Sequence, residues 1–372
     1  MTSNKILTSL VVLALLVIGA VNLSGGSRSS QTIVIGSSLP LTGPSASLGE
    51  RVKNAMDLAL NEVNEGSEKK FSFSIVYEDD KGDSKTTVSA VTKLIESDGV
   101  HEIIGLLKSD PLLAAAPIIE KHEVVLLSPT AGAAAITNAG DFIFRNLENP
   151  DAHGKVGAQF FLDRGVTKAA IFSAKASNAL SYANALQENY ERMGGKIVFR
   201  TEYSPDATDF RTELTQSKDA QAIYIGVATA KDAGLVIREA RELGFNGTIL
   251  ASVAAEAKEL IDTAGAAAEG VFISSAPFDP TTPIAHAFAD EYVNRYGKPA
   301  DGFAANGYDA LHLLVSAIMK CGDAKDTHCV RDFLYATKDY PGAGGLTSFD
   351  KNGDVTKIPQ IKVVRNGQFV KT

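Results

Sequence analysis

Short apolar runs of strand length alternate with amphipathic helical stretches along most of this chain, and that alternation admits few architectures. Strand, crossover helix and strand in one sheet make a right-handed parallel unit, so repetition predicts parallel sheets covered by helices. Residues 32–36 read as the opening strand and 71–77 as an alternating one. Between them, 49–64 places Val52, Met56, Ala59 or Leu60, and Val63 on one helical face, and 86–97 reads as the next helix. Two strand-to-helix turns follow, Ile103-Ile104-Gly105-Leu106-Leu107-Lys108-Ser109 and Val125-Leu126-Leu127-Ser128-Pro129-Thr130-Ala131-Gly132. Ligands of open α/β sheets bind outside the carboxyl ends of strands. Two such ends, roughly twenty residues apart, therefore predict one polar shelf.

A second series repeats the pattern, with strands at 169–172, 196–201, 222–226 and 248–250 and helices at 154–164, 182–193, 210–217 and 232–243. Pro277, Pro280 and Pro283 then break it. Helices at 284–296, 303–320 and 330–337 and strands at 346–349 and 360–364 are left over. At 372 residues two lobes are expected, and the surplus helices suggest a return to the first lobe.

A net charge of -8 argues against nucleic acid or an anionic membrane surface as the main partner. Residues 1–31 hold Lys5, an apolar stretch over 6–21 and a polar linker, short for a membrane span and suited to a secretory signal. Whether cleaved as a signal peptide or retained as a signal anchor tethering the protein, the segment implies export to the periplasm or cell exterior. Cys321 and Cys329 bracket a short polar loop and read as a local disulfide. His328 lies beside them, but two thiols and one histidine lack a fourth ligand, so no metal is expected. Residues 350–354 resemble the start of a calcium loop without its closing glutamate and are better read as a β-turn. No phosphate loop, nucleophile elbow or paired histidines occur, so neither enzyme nor cofactor is expected.

Several segments, in this order, carry a resemblance. They are Leu39-Pro40-Leu41-Thr42-Gly43-Pro44 with Gly49, Ala59-Leu60-Asn61-Glu62-Val63-Asn64, Asp79-Asp80-Lys81-Gly82-Asp83 and Leu127-Ser128-Pro129. Phe144-Arg145-Asn146, Ala240-Arg241-Glu242-Leu243-Gly244, Asn306-Gly307-Tyr308-Asp309-Ala310 and Phe349-Asp350 complete the series. The chain resembles the periplasmic solute-binding proteins of the branched-chain amino acid (leucine/isoleucine/valine-binding) class. That resemblance implies an α/β, type I periplasmic binding fold of two lobes, each a mainly parallel sheet flanked by helices, with a three-crossover hinge. Lobe 1 would comprise 32–147 and 277–348, and lobe 2 would comprise 148–276 and 349–372. It further implies a monomeric receptor of an ABC importer, closing on a small amino acid or organic acid and docking on a membrane permease. The alternative is a sensor of an organic or aromatic acid that feeds a regulator.

The resemblance also assigns site residues. Ser109 is expected to bind a ligand carboxylate, and Thr130, Ala131 and Gly132 to offer backbone groups, with no hydroxyl at Gly132. In the helix-start reading of the first turn, Asp110 is the N-cap and Pro111 the first helical residue. In the second lobe the family's tyrosine and acid correspond to Asn178 and Val253, with Glu256 as a substitute anchor for an ammonium group. Thr229 joins the candidates from the same lobe. Leu48, Leu107, Leu106 and Phe303 are candidate apolar walls, and Lys108 is the odd charge on the shelf. Arg145 and Asp309 are expected in the hinge and in lobe packing.

Overall fold

The computed structural model describes residues 31–65 and 70–372. The expected signal segment lies outside them except for Gln31, which opens the first strand. The first sheet consists of β1 (Gln31–Leu39), β2 (Phe71–Asp79), β3 (Glu102–Ile104), β4 (Val125–Ser128) and β5 (Ile143–Arg145). Its order is β2-β1-β3-β4-β5 and every pair is parallel. The crossovers are α1 (Ala46–Asn64), α2 (Ser84–Glu96) and α3 (Ser109–Lys121). Asp83 stops the chain before α2 by accepting the Thr86 N–H at 2.9 Å. One face of the sheet packs Ile35, Met56, Leu127 and Leu311; the other packs Val91, Leu94, Ile103 and Leu112.

The second sheet repeats the plan with β6 (Lys168–Ala174), β7 (Lys196–Tyr203), β8 (Ala222–Gly226), β9 (Thr248–Ala251) and β10 (Phe272–Ser275). These run parallel in the order β7-β6-β8-β9-β10. They are flanked by α4 (Pro150–Asp163), α5 (Ser177–Arg192), α6 (Arg211–Gln216), α7 (Ala230–Glu242) and α8 (Lys258–Ala264). Asn149 with Pro150 starts α4, and a Thr229–Asp232 capping box starts α7. Both sheets thus place a switch in strand order beside their central strand, where carboxyl ends leave a crevice.

The chain then returns as α9 (Pro283–Tyr296), α10 (Gly302–Cys321) and α11 (Thr327–Ala336), whose Phe288, Leu311 and Leu334 join the first core. A small hairpin, β11 (Tyr340–Gly342) and β12 (Gly345–Thr347), follows. Finally β13 (Gln360–Arg365) pairs antiparallel with β10, and β14 (Gln368–Lys371) antiparallel with β13, extending the second sheet. The last strand was missed because four residues with one exposed face carry too little pattern. Cys321 and Cys329 form a disulfide across the α10–α11 loop.

Three crossings join the lobes, at residues 146–149, 276–278 and 356–359. The third lies later than the 348/349 boundary expected, because Phe349 and Val355 are buried in the first core. Asp354 stays with them, taking Arg145 Nε at 2.6 Å and Nη2 at 2.8 Å, with Arg145 0% exposed. Lys357 beyond it donates to Asn146 Oδ1 at 3.0 Å, tying the first crossing to the third. Asp309 accepts the Ala343 and Gly344 N–H groups inside the first lobe. Residues 350–354 form a turn in which Asp350 Oδ1 accepts the Asn352 and Asp354 N–H groups.

Candidate functional site

The two sheets' carboxyl ends face each other across a cavity of about 360 Å³. The chain leaves β3 through Gly105 (φ +146) and Leu106 (φ +51), both in the left-handed region. A Cβ on Gly105 would stand 2.4 Å from the Ser38 carbonyl, so only glycine permits β1 to approach there. This bend lays Leu107, Lys108 and Ser109 across the end of the sheet. The helix begins at Ser109 with Lys108 at its cap position, rather than at the expected Asp110 cap. Asp110 sits in the first turn, where a carboxylate suits the helix dipole, and accepts the Ser177 hydroxyl from α5 of the other lobe.

Ser109 is 5% exposed, and its Oγ accepts the N–H groups of Gly132 (3.1 Å) and Ala133 (3.0 Å). Its own hydroxyl proton is therefore free to be donated into the cavity. The Thr130 hydroxyl donates to the Leu107 carbonyl at 2.9 Å, locking the two turns together. Of the expected residues, Leu48, Leu107, Lys108, Ser109, Thr130, Gly132, Asn178, Thr229, Val253 and Phe303 all line the cavity. Asn178 Nδ2 is held by the Val227 carbonyl at 3.2 Å, and the Thr229 hydroxyl donates to Asp232 at 2.8 Å.

Three expected residues do not line the cavity. Ala131 is fully buried in the first lobe's core and does not reach the cavity; nor does Leu106, which is packed in that same core. Glu256, proposed as an ammonium anchor, is 7% exposed and turned away. Lys362 Nζ donates to its carboxylate at 2.5 Å, as does the Ser275 hydroxyl. That carboxylate is neutralised from β13 and has no charge to offer a ligand.

Three residues were not anticipated. Tyr182 lies one helical turn after Asn178 on the same face of α5, a spacing that marks it as a neighbour. Its hydroxyl is buried without a hydrogen-bond partner, and burial raises its pKa well above the ordinary tyrosine value, so it stays a donor. A Cβ on Gly132 would stand 2.3 Å from that hydroxyl. The hydroxyl absent from Gly132 is thus replaced by one supplied from the opposite lobe. Glu259, in the first turn of α8, lines the cavity with no hydrogen-bond or ion-pair partner among the described residues. Arg51 on α1 also lines it, pairing with Asp301 and donating across the cleft to the Glu256 carbonyl at 3.2 Å. The Ala134 N–H to Ser181 Oγ bond, at 3.1 Å, makes a further bridge between the lobes.

Two α/β lobes on a three-strand hinge, meeting over a cavity lined by both, define a solute-binding protein. The chain belongs to the periplasmic binding protein family, whose model matches residues 32–365. It is 28% identical over 329 residues to a Leu/Ile/Val-binding protein, BraC3, of Rhizobium johnstonii, covering 87% of this chain and 89% of that one. Its fold is similar to the leucine binding protein LivK of Thermotoga maritima, with a TM-score of 0.86, 28% identity and coverage of 91% and 97%. It is also similar to LivJ of Streptococcus pneumoniae in complex with isoleucine, with a TM-score of 0.82, 26% identity and coverage of 91% and 98%.

Proposed function

We propose that this protein is an exported, non-enzymatic receptor of an ABC importer that closes on a small carboxylated solute and passes it to a membrane permease. The observation that carries this reading is the meeting of Ser109 and Gly132 from one lobe with the unpartnered Tyr182 hydroxyl from the other. Such donors suit a carboxylate, and only closure brings them together. Glu259 is the acid placed to take an ammonium group. Leu48, Leu107, Leu147, Val253 and Phe303 enclose an apolar body. Relatives named for leucine, isoleucine and valine make these amino acids the first ligands to try.

A thermal-shift screen tests the reading, because bound ligand stabilises by mass action, about 2.7 kcal/mol at a hundredfold excess over Kd. The probes are leucine, isoleucine and valine, their 2-oxo analogues and simple aromatic acids. At least one carboxylate is expected to raise the melting temperature, and Ser109→Ala to lose most of that rise. Wild-type protein that no carboxylate stabilises refutes the proposal.

A further inference from the structure

A cation drawn out of bulk water calls for an anion, and one cation in this cleft has none. Lys108 and Ser109 leave β3 in succession, and Lys108 has extended backbone angles (φ -106, ψ 142). Neighbouring side chains on extended backbone point to opposite sides. Ser109 turns toward β4 and Gly132, whereas Lys108 turns toward the loops after β1 and β2. Its stem crosses Gly82, with Cδ 3.3 Å from where a Cβ there would stand. The ammonium ends 3.5 Å from Ser45 Oγ, with no carboxylate within 4.0 Å among the described residues.

The surroundings strengthen the contrast. Arg51 is neutralised by Asp301, and Lys231 at the rim is exposed. Among the described residues, three cations, Arg51, Lys108 and Lys231, line the cavity against the single carboxylate of Glu259, in a chain whose net charge is -8. Burial lowers the Lys108 pKa from its ordinary value, opposed by the more distant charges of Asp232, Asp110 and Asp80. An anion beside the ammonium would restore it.

We propose that the solute carries a second anionic group, received by Lys108 and Ser45 at the end of the cleft away from Ser109, Gly132 and Tyr182. The ligand class is then a dicarboxylate, with or without an α-amino group, lying across the ends of β1, β3 and β4. This rests on the reading of the cleft as a carboxylate site, and Lys108 is its specificity-determining residue.

Calorimetry on the full chain separates the two ideas, using L-glutamate against L-glutamine, glutarate against its monoamide, and L-leucine. In wild-type protein each dianion is expected to bind at least about tenfold tighter than its amide, the size of one charge-assisted contact. Lys108→Met should erase that preference while changing amide affinity far less, and Lys108→Arg should retain part of it. The ligand-free melting temperature of each variant shows that it folds, and a variant that does not fold leaves the wild-type comparison to decide. Leucine or the amides binding as tightly as the dianions overturns the second anion while the carboxylate site stands. An undiminished dianion preference in folded Lys108→Met overturns the role of Lys108. Failure of every probe overturns both ideas.

Discussion

Gly132→Ala isolates closure from folding. Gly132 belongs to the first lobe and Tyr182 to the second, so the two meet only when the cleft is shut. The added methyl would stand 2.3 Å from the Tyr182 hydroxyl and 2.9 Å from two ring carbons. Ordinary contact lies near 3.5 Å, so the lobes must part, or the ring must move, by about 1 Å. The ring has little freedom: Tyr182 is buried and makes a T-shaped contact with the His153 ring at 5.1 Å. Overpacking of this kind costs about 1–3 kcal/mol. All of it falls on the closed state, so affinity should drop about 5- to 150-fold. The open protein should not feel the methyl, and its melting temperature should hold or rise slightly as the unfolded chain loses freedom. Calorimetry with the best carboxylate probe, alongside melting of the free protein, measures both quantities. Because Tyr182→Phe removes the nearest clashing atom but also a ligand donor, the added methyl should cost less when the double variant is compared with Tyr182→Phe alone than when Gly132→Ala is compared with wild type. Undiminished affinity in Gly132→Ala refutes the reasoning, because the lobes would then not close to this geometry.

The remaining expectations concern carboxylates whose surroundings set their roles. Glu256→Gln should lower stability by about 1–3 kcal/mol in urea, by weakening the buried pair with Lys362, while sparing ligand selectivity. Glu259→Gln should instead weaken amino-acid ligands relative to their deaminated analogues, and equal losses for both would remove Glu259 as anchor. Asp354→Ala leaves the Arg145 guanidinium buried and unpaired, at a cost of about 3–5 kcal/mol; a loss under about 1 kcal/mol by urea titration contradicts that role for the hinge pair. Glu102 is buried on β3 with both carboxylate oxygens unpartnered, and burial, with the nearby Asp323 charge, raises its pKa to about 8. The folded state therefore keeps a proton that the unfolded chain releases near 4.5. Stability should fall as pH rises between those values, by up to about 1.4 kcal/mol per pH unit. Glu102→Gln should flatten that fall, and parallel pH profiles for the two proteins would show that Glu102 does not titrate this way.

Much of the fold was legible because the period of an apolar pattern reports which face is covered. The helix over α1 needed only Val52, Met56 and their neighbours, and each β-α turn announced itself through Gly, Ser and Pro. The position of Ser109 at the cavity followed from the polar shelf beyond a buried parallel strand, whereas its expected role toward a ligand carboxylate came from the resemblance. The helix start was misplaced by two residues: Lys108 rather than Asp110 holds the cap position, and the Asp110 carboxylate instead meets Ser177 across the cleft, a partner that no local rule supplies.

The pair of parallel sheets, their covering helices and the polar shelf at the ends of β3 and β4 could be read from the chain directly. These follow from interactions between residues near in the chain. The tertiary structure alone decided which acid faces the cavity, since Glu256 and Glu259 look alike until Lys362, 106 residues after Glu256, neutralises one of them. It also decided that Tyr182 fills the space Gly132 leaves, and that the third crossing waits until Phe349 and Val355 are buried. Each of these depends on atoms brought together from distant parts of the chain, and pairing at that range leaves no period in the sequence.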